Sequence, residues 1–153
     1  MAKPPSLEFV MELRAELDPP LDLGMTPAGH RRSVSLCGGR FEGPRLRGEV
    51  LAGGADWQVL RSDGAMVLEA RYALRTDDGA LIGVRNSGLR HAPPAVTEKL
   101  MAGEPVAPGS YYFRTTPQFE TSDARYAWMN QHIFIGDAER EPDAVVLRVW
   151  QVL

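Results

Sequence analysis

Two carboxylates and six polar or aromatic side chains are the residues of this chain best suited to chemistry. Asp56 and Glu120 are the candidates for general acid–base catalysis, because a carboxylate shielded from water can trade a proton with a substrate near neutral pH. Arg114 lies among aromatics in Tyr111-Tyr112-Phe113-Arg114-Thr115, and a guanidinium grips an anion through two parallel hydrogen bonds. Trp57, Tyr72 and Asn86 make a pocket wall of the usual kind, apolar with a few placed polar groups. Tyr126 and Asn130 sit on an irregular stretch, where loops commonly carry function. The expected site is therefore catalytic Glu120 and Asp56, with Trp57, Tyr72, Asn86, Arg114, Tyr126 and Asn130 binding the ligand. The plainer readings stay open: an exposed Glu120, a stacked Arg114, and a core Asn86 that bonds a nearby loop.

Other chemistries find little support. His30, His91 and His132 show no metal-ligand spacing. Cys37 is the single cysteine, which rules out an intrachain disulfide and suits a reducing compartment. It would be a nucleophile only beside a basic group that lowers its pKa. Gly38-Gly39 and Gly53-Gly54 read as turns or bulges, since a phosphate loop must lead into a helix and Gly53-Gly54-Ala55-Asp56-Trp57 leads into a strand. No metal and no cofactor is expected.

The elements that must position these residues are mostly strands. Leu7, Phe9, Met11, Leu13, Ala15 and Leu17 are apolar at strict period two, with Val10 as the exception; the pattern favours a half-buried strand over a helix. Residues 21–31 read as a loop, and further strands are expected at 32–37, 45–51 and 56–61. Asp63-Gly64 and Asp77-Asp78-Gly79 are hairpin signals, so 56–61, 65–75 and 80–87 form an antiparallel meander. Met66, Leu68, Ala70, Tyr72 and Leu74 share one face. A three-residue loop at 77–79 sets Leu74 opposite Ile82, Tyr72 opposite Val84 and Ala70 opposite Asn86. A two-residue Asp63-Gly64 turn sets Val59 beside Leu68, Trp57 beside Ala70, and Asp56 opposite Arg71 on the polar face. A short helix is expected at 95–102, stopped by Gly103. A strand at 110–116, an irregular 117–130, and strands near 131–136 and 144–153 complete the chain. The fold class is all-β: an antiparallel meander closing into a small barrel of about eight to nine strands with one short helix.

Bulk properties agree with one domain over 1–153, residues 1–6 being a flexible lead. The chain has 153 residues, 44% hydrophobic and 24% charged, and this length suffices for a core without disulfides or metal. Its net charge of -3 argues against nucleic acid as a partner, which calls for concentrated positive charge. The basic residues are 15 Arg and 2 Lys. No apolar run approaches the roughly 18 residues of a membrane helix, and Met1-Ala2-Lys3-Pro4-Pro5 lacks the apolar stretch of a signal peptide. The expectation is a soluble, cytoplasmic protein with a small-molecule ligand and no membrane partner. Its assembly state is open, a homodimer being the commonest soluble oligomer.

An ordered set of motifs adds to this. Gly38-Gly39-Arg40-Phe41-Glu42-Gly43-Pro44 is followed by Gly53-Gly54-Ala55-Asp56-Trp57, Asp63-Gly64 and Ala70-Arg71-Tyr72-Ala73-Leu74-Arg75-Thr76-Asp77-Asp78-Gly79. Asn86 and Gly88, Tyr111-Tyr112-Phe113-Arg114-Thr115, Phe119-Glu120-Thr121 and Arg125-Tyr126-Ala127-Trp128-Met129-Asn130 come after. The series resembles domain-of-unknown-function family 3237, also called uncharacterised protein family 0311, from about residue 7 to the end. The family position at Met129 is more often Leu, a volume-conserving change. The resemblance implies a small closed antiparallel barrel and carries no activity or catalytic set. Three functions fit: a cofactor-independent enzyme of isomerase, cyclase, hydratase or lactonase type acting on a small anionic or carbonyl compound; a non-catalytic ligand-binding protein; or a structural barrel with a filled core.

Overall fold

The period-two pattern of residues 7–17 is a strand, and the sheet it starts closes on itself. The computed structural model describes all residues from Met1 to Leu153. In chain order the strands are β1 (Leu7–Leu17), β2 (Leu21–Thr26), β3 (Gly29–Glu42), β4 (Arg47–Val50), β5 (Ala55–Leu60), β6 (Met66–Thr76) and β7 (Leu81–His91). Helix α1 (Pro94–Met101) and a 3-10 turn (Pro108–Ser110) precede β8 (Tyr112–Glu120). A 3-10 helix (Ala124–Asn130), β9 (Phe134–Arg140) and β10 (Ala144–Val152) follow. Every strand pairing is antiparallel, and β1 bonds both β10 and β3, which closes the barrel. Its eight staves are β1, β10, β9, β8, β7, β6, β5 and β3, with β2 and β4 extra. β4 and β5 both bridge β3 to β6, one beyond the other, so they act as one stave interrupted at 51–54.

Val10 breaks the alternation of β1 because it is the extra residue of a β-bulge. The register with β10 shifts between Phe9 and Met11, so Val10 and Met11 are both buried, at 2% and 0% exposure. A bulge admits one such added residue and sharpens the local bend.

The two hairpins of the meander have the same build. Thr76 N–H donates to Ala80 O and Gly79 N–H to Thr76 O. Arg61 N–H likewise donates to Ala65 O, and Gly64 N–H to Arg61 O. Gly64 and Gly79 sit at φ +86° and +92°, the left-handed position that favours glycine in a three-residue loop. The second hairpin has the expected register: Leu74 pairs with Ile82, Tyr72 with Val84, Ala70 with Asn86. The first corrects the expectation by one residue. Its loop is Ser62-Asp63-Gly64, so Asp56 pairs with Ala70 and Trp57 with Glu69. A slip of one turns every side chain to the other face: Asp56 goes inside the barrel and Trp57 goes out, 48% exposed.

Two loop assignments are also corrected. Residues 21–31 hold β2 and the start of β3. β2 bonds only β3 and leaves Leu21, Leu23 and Met25 exposed, so its apolar residues mark no burial. β8 runs on through Pro117 to Glu120. β9 meets β8 only at Arg114 and Thr115, so a proline at 117 removes no ladder bond to β9.

The barrel has two unlike ends. At the 77–79 hairpin tip, the 3-10 helix 124–130 seals the interior. Tyr126 and Met129 are buried there, Phe119 and Phe134 meet edge to face at 5.0 Å, and the Tyr126 hydroxyl donates to the Asp78 carboxylate at 2.8 Å. At the other end α1 lies across the opening. It buries one residue, Leu100, and its Met101 carbonyl accepts from Arg32 Nη1 at 2.9 Å. No helix is long and apolar enough to cross a membrane.

Truncating the fully buried Leu74 to Ala should cost about 2–5 kcal/mol. Trp57→Ala, on the outer wall, should cost less than about 1 kcal/mol. Urea unfolding of the two variants distinguishes this register from the one that puts Trp57 inside.

Candidate functional site

The inward positions toward the α1 end do not fill the barrel. They surround a cavity of about 60 Å³, with Leu13, Ala15 and Leu147 on one wall and Asp56, Tyr72 and Arg90 on the other. The space is large enough for water or a small ligand. Part of its width comes from missing side chains. Thr115 points inward between Gly88 and Gly136, and a Cβ at Gly136 would lie 2.1 Å from Thr115 Oγ1.

The polar atoms around this space are not satisfied by the protein. Gln58 Nε2 donates to Asp56 Oδ2 at 2.9 Å. Asp56 Oδ1, Gln58 Oε1, Asn86 Oδ1, Thr115 Oγ1 and Arg32 Nε are all buried without a partner. Buried polar groups in folded proteins are nearly always paired, and each exception asks for an explanation such as water, an ion or a catalytic role. Here four of them line one cavity, and Arg32 lies in the adjoining cleft beneath α1.

Electrostatics sharpen the picture. Burial pushes the Asp56 carboxyl above its ordinary range, against the opposing pull of Gln58, Arg90 and Arg140. Burial and the nearby Asp56 also push the Tyr72 phenol up, so it stays protonated. Burial and the neighbouring Arg140 and Arg32 lower Arg90 to about 10. Asp56 is thus an acid whose ionisation burial opposes and the neighbouring cations favour.

Of the expected residues, Asp56, Tyr72 and Asn86 meet in the cavity. The others lie elsewhere. Trp57 faces out, for the register reason above. Arg114 has the opposite parity to the buried Phe113 and forms an ion pair with Asp137 at 3.1 Å on the outer wall. Glu120 ends β8 on the outside, in a shallow groove with Asn130 and His132. The Asn130 side chain pairs with the backbone of Thr121. Tyr126 belongs to the sealed end. Reasoning from sequence missed Gln58, Thr115, Arg90, Arg140 and Arg32. A signal for Arg90 was present: once Asn86 faces inward, so does the residue four places along the same strand.

Stability should report the buried acid. Folding favours protonated Asp56, so its contribution is fully present below the unfolded carboxylate pKa, near 4, and is lost as pH rises through the raised folded value. Asp56→Asn should therefore gain Tm relative to the unsubstituted protein as pH goes from 4 to 8. Thermal melts across that range check it.

A family model described as "Protein of unknown function (DUF3237)" matches residues 5–152. A UPF0311 protein of Rhodopseudomonas palustris is 44% identical over 151 residues, 97% of this chain and 99% of the relative. The crystal structure of a conserved protein of unknown function from the same species superposes with TM-score 0.94 at 39% identity, covering 99% and 100% of the two chains. A hydroalkoxylation enzyme of Penicillium herquei is 27% identical over 149 residues, 97% of this chain and 85% of the relative. The structure of an enzyme from that organism shares the fold at TM-score 0.75 and 24% identity, covering 100% and 98%.

Proposed function

The chain belongs to the protein family of unknown function DUF3237, and on that footing we propose that it is a cofactor-independent acid–base enzyme acting on a small carbonyl or anionic compound enclosed beside Asp56. The observation that carries the reading is the convergence of unpaired Asp56, Gln58, Asn86 and Thr115 oxygens on one cavity. A merely structural core would have paired or excluded them.

Asp56 is the proton donor and acceptor. Burial raises its pKa, and in its protonated form it gives its proton to a substrate carbonyl oxygen or alkene carbon. The carboxylate left behind is stabilised by Arg90 and Arg140. It then takes a proton from an adjacent carbon, completing an isomerisation, or from a hydroxyl that has added to the carbon centre, completing a cyclisation. Either way Asp56 ends as it began. Tyr72, a neutral phenol, and the Asn86 amide orient the substrate. The name of the Penicillium relative supports this class: hydroalkoxylation adds an O–H across a C=C, with the same proton balance. Hydration or lactone hydrolysis would need a water admitted as second substrate.

An NMR screen of enones, hydroxyalkenes and lactones in D2O should show turnover or deuterium uptake. Asp56→Asn should then cut kcat by about 10²–10⁴ while ligand binding persists, and Glu120→Gln, outside the cavity, should leave kcat unchanged. Because the protonated acid starts the reaction, kcat/KM should fall as pH rises through the raised Asp56 pKa. Full activity in Asp56→Asn would sink the assignment.

A further inference from the structure

Most arginines on the outer surface sit beside carboxylates: Arg75 with Glu49 at 3.2 Å, Arg85 with Glu69 at 3.1 Å, Arg148 with Glu139 at 3.1 Å. Three others come from strand positions toward the α1 end, Arg32 on β3, Arg90 on β7 and Arg140 on β9, and none of them forms an ion pair. Arg32 and Arg90 are 5% and 3% exposed. Arg32 spends Nη1 on the Met101 carbonyl and leaves Nε with no acceptor. Arg90 lies over the Phe113 ring at 5.6 Å, which supplies no countercharge. Arg140 reaches only the Ala144 carbonyl, at 3.3 Å. The three are close enough to repel: Arg140 and Arg32 both act against the charge on Arg90, and Arg32 against that on Arg140.

Charges taken out of water are normally paired. The one acid inside the barrel is Asp56. Asp143 attracts Arg140 and Asp22 attracts Arg32, but both are exposed: Asp143 lies at the rim of the opening beneath α1 with Arg32 and Arg140, and Asp22 is already paired with His30 at 2.7 Å. The cluster therefore holds more positive charge than the protein answers. We propose that Arg32, Arg90 and Arg140 form an anion-recognition subsite that takes the carboxylate of a small, otherwise apolar organic acid, bound head-first against the arginines with its body along Leu13, Ala15 and Leu147. Two features select a carboxylate. The guanidinium fork matches its geometry. The rest of the cavity is mostly apolar, which suits a monoanion with a hydrocarbon body better than a phosphate dianion. The inference rests on the cavity being a ligand site, and names its substrate class, but is independent of Asp56 as the acid.

The test uses the whole chain with isobutyrate, benzoate, phenylacetate and cinnamate, each paired with its neutral amide, plus inorganic phosphate. At least one acid should raise Tm by roughly 5–11 °C at a hundred times its dissociation constant. Its amide and phosphate should do little. Arg90→Met and, separately, Arg140→Met should weaken that acid at least tenfold, while Arg114→Met on the outer wall should not. Asp56→Asn should keep the binding, so failed catalysis and failed recognition are read apart. A second readout needs no ligand: Arg90→Met should melt at or above the unsubstituted protein, because it removes an unanswered buried charge. No acid binding, equal response to acid and amide, equal loss in Arg114→Met, or a large fall in Tm for Arg90→Met would each overturn the proposal.

Discussion

A strand in a closed barrel offers each side chain only two destinations, the interior or the outer wall, and consecutive residues must take opposite ones. Everything at this site depends on that parity. Because the Ser62-Asp63-Gly64 loop has three residues, Asp56 and Gln58 turn inward together and Trp57 turns out. Because Ala70 pairs with Asn86 on β7, Asn86 and Arg90 face the same space. No single contact assembles the cavity. The hydrogen-bond registers do so, and they are fixed by a few glycine turns and by register shifts at Val10, Cys37 and Leu23.

Parity also explains what could be read in advance. The β6–β7 hairpin was legible because both strands carry apolar residues at their inward positions: Leu74 meets Ile82 and Tyr72 meets Val84. β5 was misread by the same logic. Its outward residues, Trp57 and Val59, are more apolar than its inward ones, Asp56 and Gln58. Matching hydrophobic faces therefore inverted the strand. Sequence rules are expected to fail where function imposes a local conflict, and β5 fails beside the cavity. Arg90 and Arg140 were missed for a related reason, since a charged residue at an inward position looks like an exposed one until its strand's register is known. Tyr72 and Asn86 were nonetheless recognisable from the Asp77-Asp78-Gly79 register, and Asp56 from residue type alone, since its expected register put it on the polar face.

The two halves of the interior follow different rules. Toward the 77–79 tip, Leu74, Ile82, Phe119, Phe134 and Met129 pack as an ordinary core, and the Tyr126 hydroxyl finds the Asp78 carboxylate. Toward α1, a carboxyl with a raised pKa faces guanidiniums without ion pairs across an incompletely filled space. α1 is held to the barrel wall by Leu100 and the Arg32–Met101 bond.

Thr115 has one more consequence. A side chain at Gly136 would run into Thr115 Oγ1 and, at 2.7 Å, into Leu147 Cδ1. Position 136 thus cannot carry a side chain unless Thr115 or Leu147 gives way. Among relatives with this barrel, a side chain at 136 should come with a smaller residue at 115 or 147, and the size of molecule admitted at that layer is a joint property of three strands.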